Sequence, residues 1–187
     1  MSPTRRACFA LLPAGLGLVL WKEVARAAPA GQLARDAAQA LNDLYAAQPR
    51  LRALGSRSRA VLVFPRIIKV GVLLAGGQTG DGALLVKGKP SGYFNLSAAS
   101  FGPQAGGQTF SYALFFMAAA ALEHLDKSEG WSIGTGSDVV VVDKGAAATL
   151  ESTTLSHDVY AVPFTQKGLM AGVDLTGSKI TRIKPDG

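Results

Sequence analysis

Hydrophobic and polar positions change period along the chain. Leu33, Ala37, Ala40, Leu41 and Leu44 recur at i, i+4, i+7, i+8 and i+11, while Arg35, Asp36, Gln39 and Asp43 lie largely opposite. That stripe predicts an amphipathic helix over 31–47. Pro49 interrupts it and opens a second short helix ending near Gly55. Apolar runs then replace the stripe. Val70–Gly76 and Ala83–Val86 flank Gln78-Thr79-Gly80-Asp81-Gly82. Glycine takes positive φ without a Cβ penalty, so this loop is expected to turn a β-hairpin. Tyr93–Ala99 is a third strand, leading into the glycine-rich segment 101–107.

The second half reads as strands with one helical interruption. Ala113–Leu122 is a run of ten apolar residues, too short to span a bilayer. Its alanines divide it into a strand ending near Phe116 and a helix from Met117 to about Lys127, closed by Gly130. A short buried strand is expected over 138–143. Val159–Phe164, Leu169–Asp174 and Lys179–Lys184 follow as strands, with Gly177-Ser178 as a turn. Residues 169–184 faintly echo 72–87, as two similar hairpins. The class is α+β: N-terminal helices on a curled, mostly antiparallel sheet or barrel-like core, with a further helix near 117–127.

The first 27 residues read as an export signal. Arg5 and Arg6 precede the 15-residue apolar run Ala7–Trp21, and Ala25-Arg26-Ala27 offers an A-x-A cleavage site. The alternative is a retained anchor, for which the run is short. Thr4-Arg5-Arg6 resembles a twin-arginine signal, but Phe9 falls one residue late, so that route and general secretion both stay open. Cys8, the only cysteine, precedes most of the apolar run and does not fit a lipoprotein. Residues 28–187 then form one domain without disulfide or thiolate chemistry, which fits a bacterial periplasm.

Charge adds a direction. Residues 28–89 carry nine basic and three acidic side chains; residues 90–187 carry six and nine. The positive charge concentrates at Arg50, Arg52, Arg57, Arg59, Arg66 and Lys69, with no acid between Arg50 and Lys69. Leu51, Leu54, Val61–Phe64, Ile67 and Ile68 interleave with them. Basic and apolar residues together compose a membrane-surface element, each cation contributing about 1 kcal/mol near an anionic bilayer. The plainer reading is a solvated helix end and a soluble strand edge. Nucleic acid fits poorly, since no recognised motif is present.

Catalytic patterns are thin. Ser156-His157-Asp158 cannot align nucleophile, base and orienter as consecutive residues. Gly88–Gly92 misplaces the serine of a nucleophile elbow. Glu123-His124 lacks a second histidine, and Gly134-Thr135-Gly136 lacks the rest of a nucleotide fingerprint. Asp138, Asp143 and Asp174 show no spacing that favours acid–base pairing. No metal ligand set and no cofactor motif emerge. Trp131, Tyr93, Tyr112, Tyr160 and Phe101 are expected mostly in the core.

Four segments in order carry a family resemblance. These are Ala60–Pro65, Lys69–Gly82, Ser100–Gln108, and Lys167–Val173 followed by Leu175–Ser178. Together they resemble the SYLF domain, over roughly residues 33–184. The resemblance implies a non-catalytic phospholipid-binding module. Some eukaryotic members bind phosphoinositides or actin; in an exported bacterial protein the implied partner is an anionic phospholipid or another envelope amphiphile, and actin is not expected. The lipid-binding candidates are the six cations named above. Gly102, Gly106 and Gly107 form a structural motif, with Gly106 or Gly107 expected where no side chain fits. An envelope protein-interaction domain and, third, an envelope-lipid hydrolase remain as alternatives.

Overall fold

The computed structural model describes residues 29–101, 105–127, 130–133, 139–142, 156–168 and 177–186. The expected signal, Gly102, Asp138, Asp143 and the strand expected at 169–174 lie outside those residues. Two helices come first, α1 (Ala30–Ala47) and α2 (Leu51–Arg57). Four long strands follow: β1 (Ala60–Val72), β2 (Ala75–Val86), β3 (Lys89–Phe101) and β4 (Gly106–Phe116). Then come α3 (Ala119–Lys127), β5 (Trp131–Ser132), β6 (Val139–Val141), β7 (Val159–Gly168) and β8 (Lys179–Ile183). The strands form one curled sheet in the order β5-β8-β3-β2-β1-β4-β7-β6. Neighbours are antiparallel except β6 and β7, which are parallel. This is the expected α+β arrangement.

Both sheet faces bury apolar layers, because alternate residues on a strand point to opposite faces. Val61, Val63, Ala83, Leu85, Ala113 and Phe115 face one way and meet Ala37, Leu41 and Leu44 of α1 and Leu51 and Leu54 of α2. The stripe read from the sequence is therefore the buried face of α1. The Gln48 N–H donates to Leu44 O at 2.8 Å, after which Pro49 ends the helix. The Ala30 N–H donates to Asp186 O, tying the start of α1 to the residues after β8. Leu62, Phe64, Ile67, Leu84, Phe94, Leu114 and Phe116 point the other way, under Ala121 and Leu125 of α3 and Trp131. The Trp131 and Phe116 ring centroids lie 5.6 Å apart. Among described residues, no helix is long and apolar enough to cross a membrane, which leaves open crossing by strands.

The hairpin is not where the glycines suggested. β2 runs straight through Gln78–Gly82, and the chain turns at Leu73-Leu74, closing the pair Val72 and Ala75. The glycines answer a β-bulge in β1 at Pro65-Arg66, where the register with β2 and β4 shifts. A Cβ on Gly80 would lie 2.5 Å from Arg66 O, and one on Gly82 would lie 2.6 Å from both the Phe64 ring and Val63 O. Phe64 and Ile67 thus fill space that the two glycines vacate. The next turn follows the usual rule: Lys87 and Gly88 both take positive φ, 49° and 78°, as a two-residue hairpin loop requires.

One smaller expectation changes, and another holds for most of its residues. The strand at 139–141 lies at the sheet edge. Its valines are half-buried or exposed, because β7 covers one side only; Val142, just after it, is buried. Trp131, Tyr112 and Tyr160 are core residues and Tyr93 is half-buried, but Phe101 is 88% exposed.

Candidate functional site

The six cations do not form one patch. Arg50, Arg52 and Arg57 belong to the α2 region, and the Arg59 N–H donates to Phe116 O just before β1 begins. Arg52 holds its guanidinium 5.3 Å from the Tyr45 ring centre. Burial pushes the Tyr45 phenol above its ordinary value, and Arg52 pulls it the other way. Arg66 sits at the bulge, halfway along β1. Lys69 lies near the far end, directly opposite Gln78 on β2 and Gln108 on β4. β1 has 13 residues, so its ends are separated by about 40 Å at roughly 3.3 Å per residue. The α2 arginines and Lys69 therefore occupy opposite ends of the sheet.

The Lys69 end carries a feature that sequence reading missed. Val70, Val72, Leu73 and Leu74 are each more than half exposed, and Phe101 is almost wholly so. Strand register makes them one surface. Ala75 pairs with both Val72 and Phe101, so these three form a rung of side chains pointing to one face. The next rung is Gly107, Val70, Gly77 and Ala99. Leu73 and Leu74 cap the apex. Leu73 takes φ 56°, a conformation in which a branched side chain is penalised and glycine is the ordinary choice.

This face changes character twice between the core and the apex. Val63, Ala83 and Leu85 lie beneath α1. A polar belt follows, with Asp81 opposite Asn95 and the Asn95 amide donating to Asp81 Oδ1 at 2.7 Å. One rung further, Lys167, Thr109, Ile68, Thr79, Ser97 and Lys179 line up across six strands, each pair directly opposite in register. Lys167 and Lys179 are both exposed. Beyond them, the described residues of this face are the apolar rungs and the apex.

The opposite face near the tip is lined by small and polar groups. Gly106, Gly71, Gly76 and Ser100 share one rung; Gln108, Lys69, Gln78 and Ala98 share the next. Gln78 Nε2 donates to Ser178 Oγ at 3.1 Å. The expectation for the glycine motif divides here. Gly106 has φ 120°, which disfavours any side chain. Gly107 has room, since an added Cβ would come no nearer than 3.9 Å to Lys69 O.

The chemical candidates are placed as follows. His124 is exposed on α3. The His157 ring meets Tyr160 edge-on at 5.7 Å, and the His157 backbone N–H donates to the Tyr160 hydroxyl. Arg182 donates to Asp126 on α3 and lies 5.1 Å from the Phe94 ring centre. An open pocket of about 410 Å³ lies beside it, lined by Ala30, Tyr93 and Lys184 among others. Among described residues no group of three or more His, Cys, Asp or Glu could hold a metal ion.

Residues 97–185 match the model of the Ysc84 family, described as Las17-binding protein actin regulator. The span starts in β3 and ends just beyond β8, and it is consistent with a SYLF-family domain. That family is a family of binding domains linked to lipid binding and actin regulation. No curated protein matches the chain.

Proposed function

Taking the SYLF assignment as the premise, we propose that the chain is an exported, non-catalytic lipid-binding domain of the bacterial envelope, residues 28–187, that docks peripherally on anionic phospholipid. The bare apolar tip of the β1–β2 hairpin carries this reading. Five large apolar side chains meet solvent together at one end of a domain that buries apolar layers on both sheet faces elsewhere. A contiguous exposed apolar patch marks an interaction site or a membrane contact. Lysines beside it supply the sign that favours an anionic partner. Las17 binding and actin regulation stay with the family description, because a periplasmic domain meets neither.

Vesicle flotation of the processed protein, residues 28–187, tests the reading. Phosphatidylglycerol or cardiolipin vesicles are expected to carry the protein upward and phosphatidylcholine vesicles to carry little. Binding should weaken as salt rises, because exposed charges are screened within about 8–10 Å at 0.1–0.15 M. No flotation with any vesicle, together with a stoichiometric protein partner in a pull-down, would replace it by the protein-interaction reading. Turnover of an envelope lipid would replace it by the hydrolase reading.

A further inference from the structure

The lipid-surface reading leaves open which part of the molecule enters the bilayer, how deep, and in what orientation. We infer that the β1–β2 hairpin is an insertion prong: Val70, Val72, Leu73, Leu74 and Phe101 enter the acyl region of one leaflet, while Lys167, Lys179 and Lys69 sit at the phosphate level. This rests on the lipid-surface reading and adds a site and a geometry to it.

Heights along the strands match one leaflet. The rung ending in Lys167 and Lys179 is four residues from the last strand rung, Val72–Ala75–Phe101. At roughly 3.3 Å per residue that is about 13 Å. One leaflet contributes about half of a 30 Å hydrocarbon core. The apolar segment therefore matches one leaflet in depth, with strand tilt shortening the fit. Lys69 lies one residue nearer the tip on the other face, so cations at nearly one height flank the prong on both sides.

Charge complementarity points the same way. From the lysine rung to the apex, the described residues of β1, β2, β3 and β4 include no acid. Asp81, the first one met on β2, is a rung further from the tip and is held by Asn95. Lysine stems can lie along apolar surface while the ammonium reaches a polar layer, as lipid phosphates at this height require.

Backbone pairing also suits the acyl region. In hydrocarbon every backbone polar group needs an internal partner. β1 is flanked by β2 as far as Val72 and by β4 as far as Gly71, and β2 pairs with β3 as far as Ala75 and Phe101. The entering strands thus bring mostly paired backbone. The lone bulky residue at positive φ among the prong's side chains, Leu73, puts a leucine at the apex where glycine would be locally easier.

Site-specific fluorescence tests the geometry. The processed protein, residues 28–187, holds no cysteine and receives a single one, either Leu74→Cys at the apex or Ser56→Cys on α2, labelled with an environment-sensitive nitrobenzoxadiazole dye. With phosphatidylglycerol:phosphatidylcholine vesicles, the Leu74 label is expected to shift blue and be quenched by brominated acyl chains. The Ser56 label should do neither. A second arm measures affinity. Leu73→Ser/Leu74→Ser should weaken vesicle binding on the order of 100-fold. Lys167→Gln/Lys179→Gln should weaken it about 20-fold at low salt and much less at high salt. Bound protein whose Leu74 label stays water-like, or whose Ser56 label is quenched instead, overturns the prong while leaving lipid binding intact. A blue shift that grows with protein concentration without vesicles overturns it in favour of a second copy covering the tip. Absence of binding to any vesicle removes the lipid-surface reading itself.

Discussion

Val63 and Val70 lie on the same strand and point to the same side of the sheet, yet one is fully buried and the other is 55% exposed. Their side chains are identical. The difference is what lies above them. α1 covers Val61, Val63 and Ala83 and stops short of Val70 and Val72. Apolar content alone therefore does not distinguish core from contact surface; the reach of the covering helix does. An apolar strand end left bare by the fold is available for something outside the chain.

The sharpest way to break this contrast is to truncate one side chain at each end. Phe64→Ala removes a fully buried ring beneath α3 and next to the glycines of β2. It should cost about 3–5 kcal/mol in urea unfolding. Leu74→Ala, at the apex, should change stability by no more than about 0.5 kcal/mol. If Leu74→Ala destabilises like a core truncation, the tip packs against the rest of the domain and is not a free surface.

The glycines allow a second cut. Gly82→Val would press a side chain into the Phe64 ring and Val63 O, and should destabilise by about 1–3 kcal/mol through overpacking. Gly107→Val meets only ordinary contact distances and should stay within about 0.5 kcal/mol. Calorimetric melting of both variants checks this. Equal losses would show that the bulge is not what fixes the glycines of β2.

These glycines also explain what the sequence hid. Helix α1, the division of Ala113–Leu122 and the strands at 159–164 and 179–184 were legible because each follows a period or a strong propensity. The β1–β2 turn was not. Gly80 and Gly82 resemble turn residues by type, but they sit mid-strand to admit Phe64 and Ile67 across a bulge. The true turn, Leu73-Leu74, carries two leucines, which local turn chemistry disfavours. Where local rule and fold disagree, function is a frequent reason, and here the exception lies at the candidate site. The cation pattern hid distance in a related way. Six cations between Arg50 and Lys69 are close in sequence, but β1 carries its residues apart at about 3.3 Å each. Lys167 and Lys179, remote in sequence from Lys69, reach the tip only through strand pairing, which one sequence does not reveal.

Leu73 offers a sharper test, because fold and function should pull apart there. Leu73→Gly relieves the cost of a branched residue at φ 56°. It should raise stability by about 1 kcal/mol in urea unfolding. The same change removes an apical side chain and should weaken binding to phosphatidylglycerol vesicles. A gain in both properties would mean that the leucine is retained for neither reason proposed here.

The smallest effect is expected at the other end of β1. Arg50, Arg52, Arg57 and Arg59 are exposed about the α2 region, roughly 40 Å from the apex along the strand. That is several screening lengths at 0.15 M salt. If the hairpin is the docking element, changing all four arginines to Gln should weaken vesicle binding by less than about threefold at that salt. Melting temperature should move little, since exposed ion pairs contribute about 0–1 kcal/mol. Flotation across a salt series separates local contact from long-range attraction. An effect that grows only below about 0.01 M, where the screening length reaches about 30 Å, belongs to the field of the whole molecule. A loss of tenfold or more at 0.15 M would place the arginine end on the lipid surface, and the tip would then need a different partner.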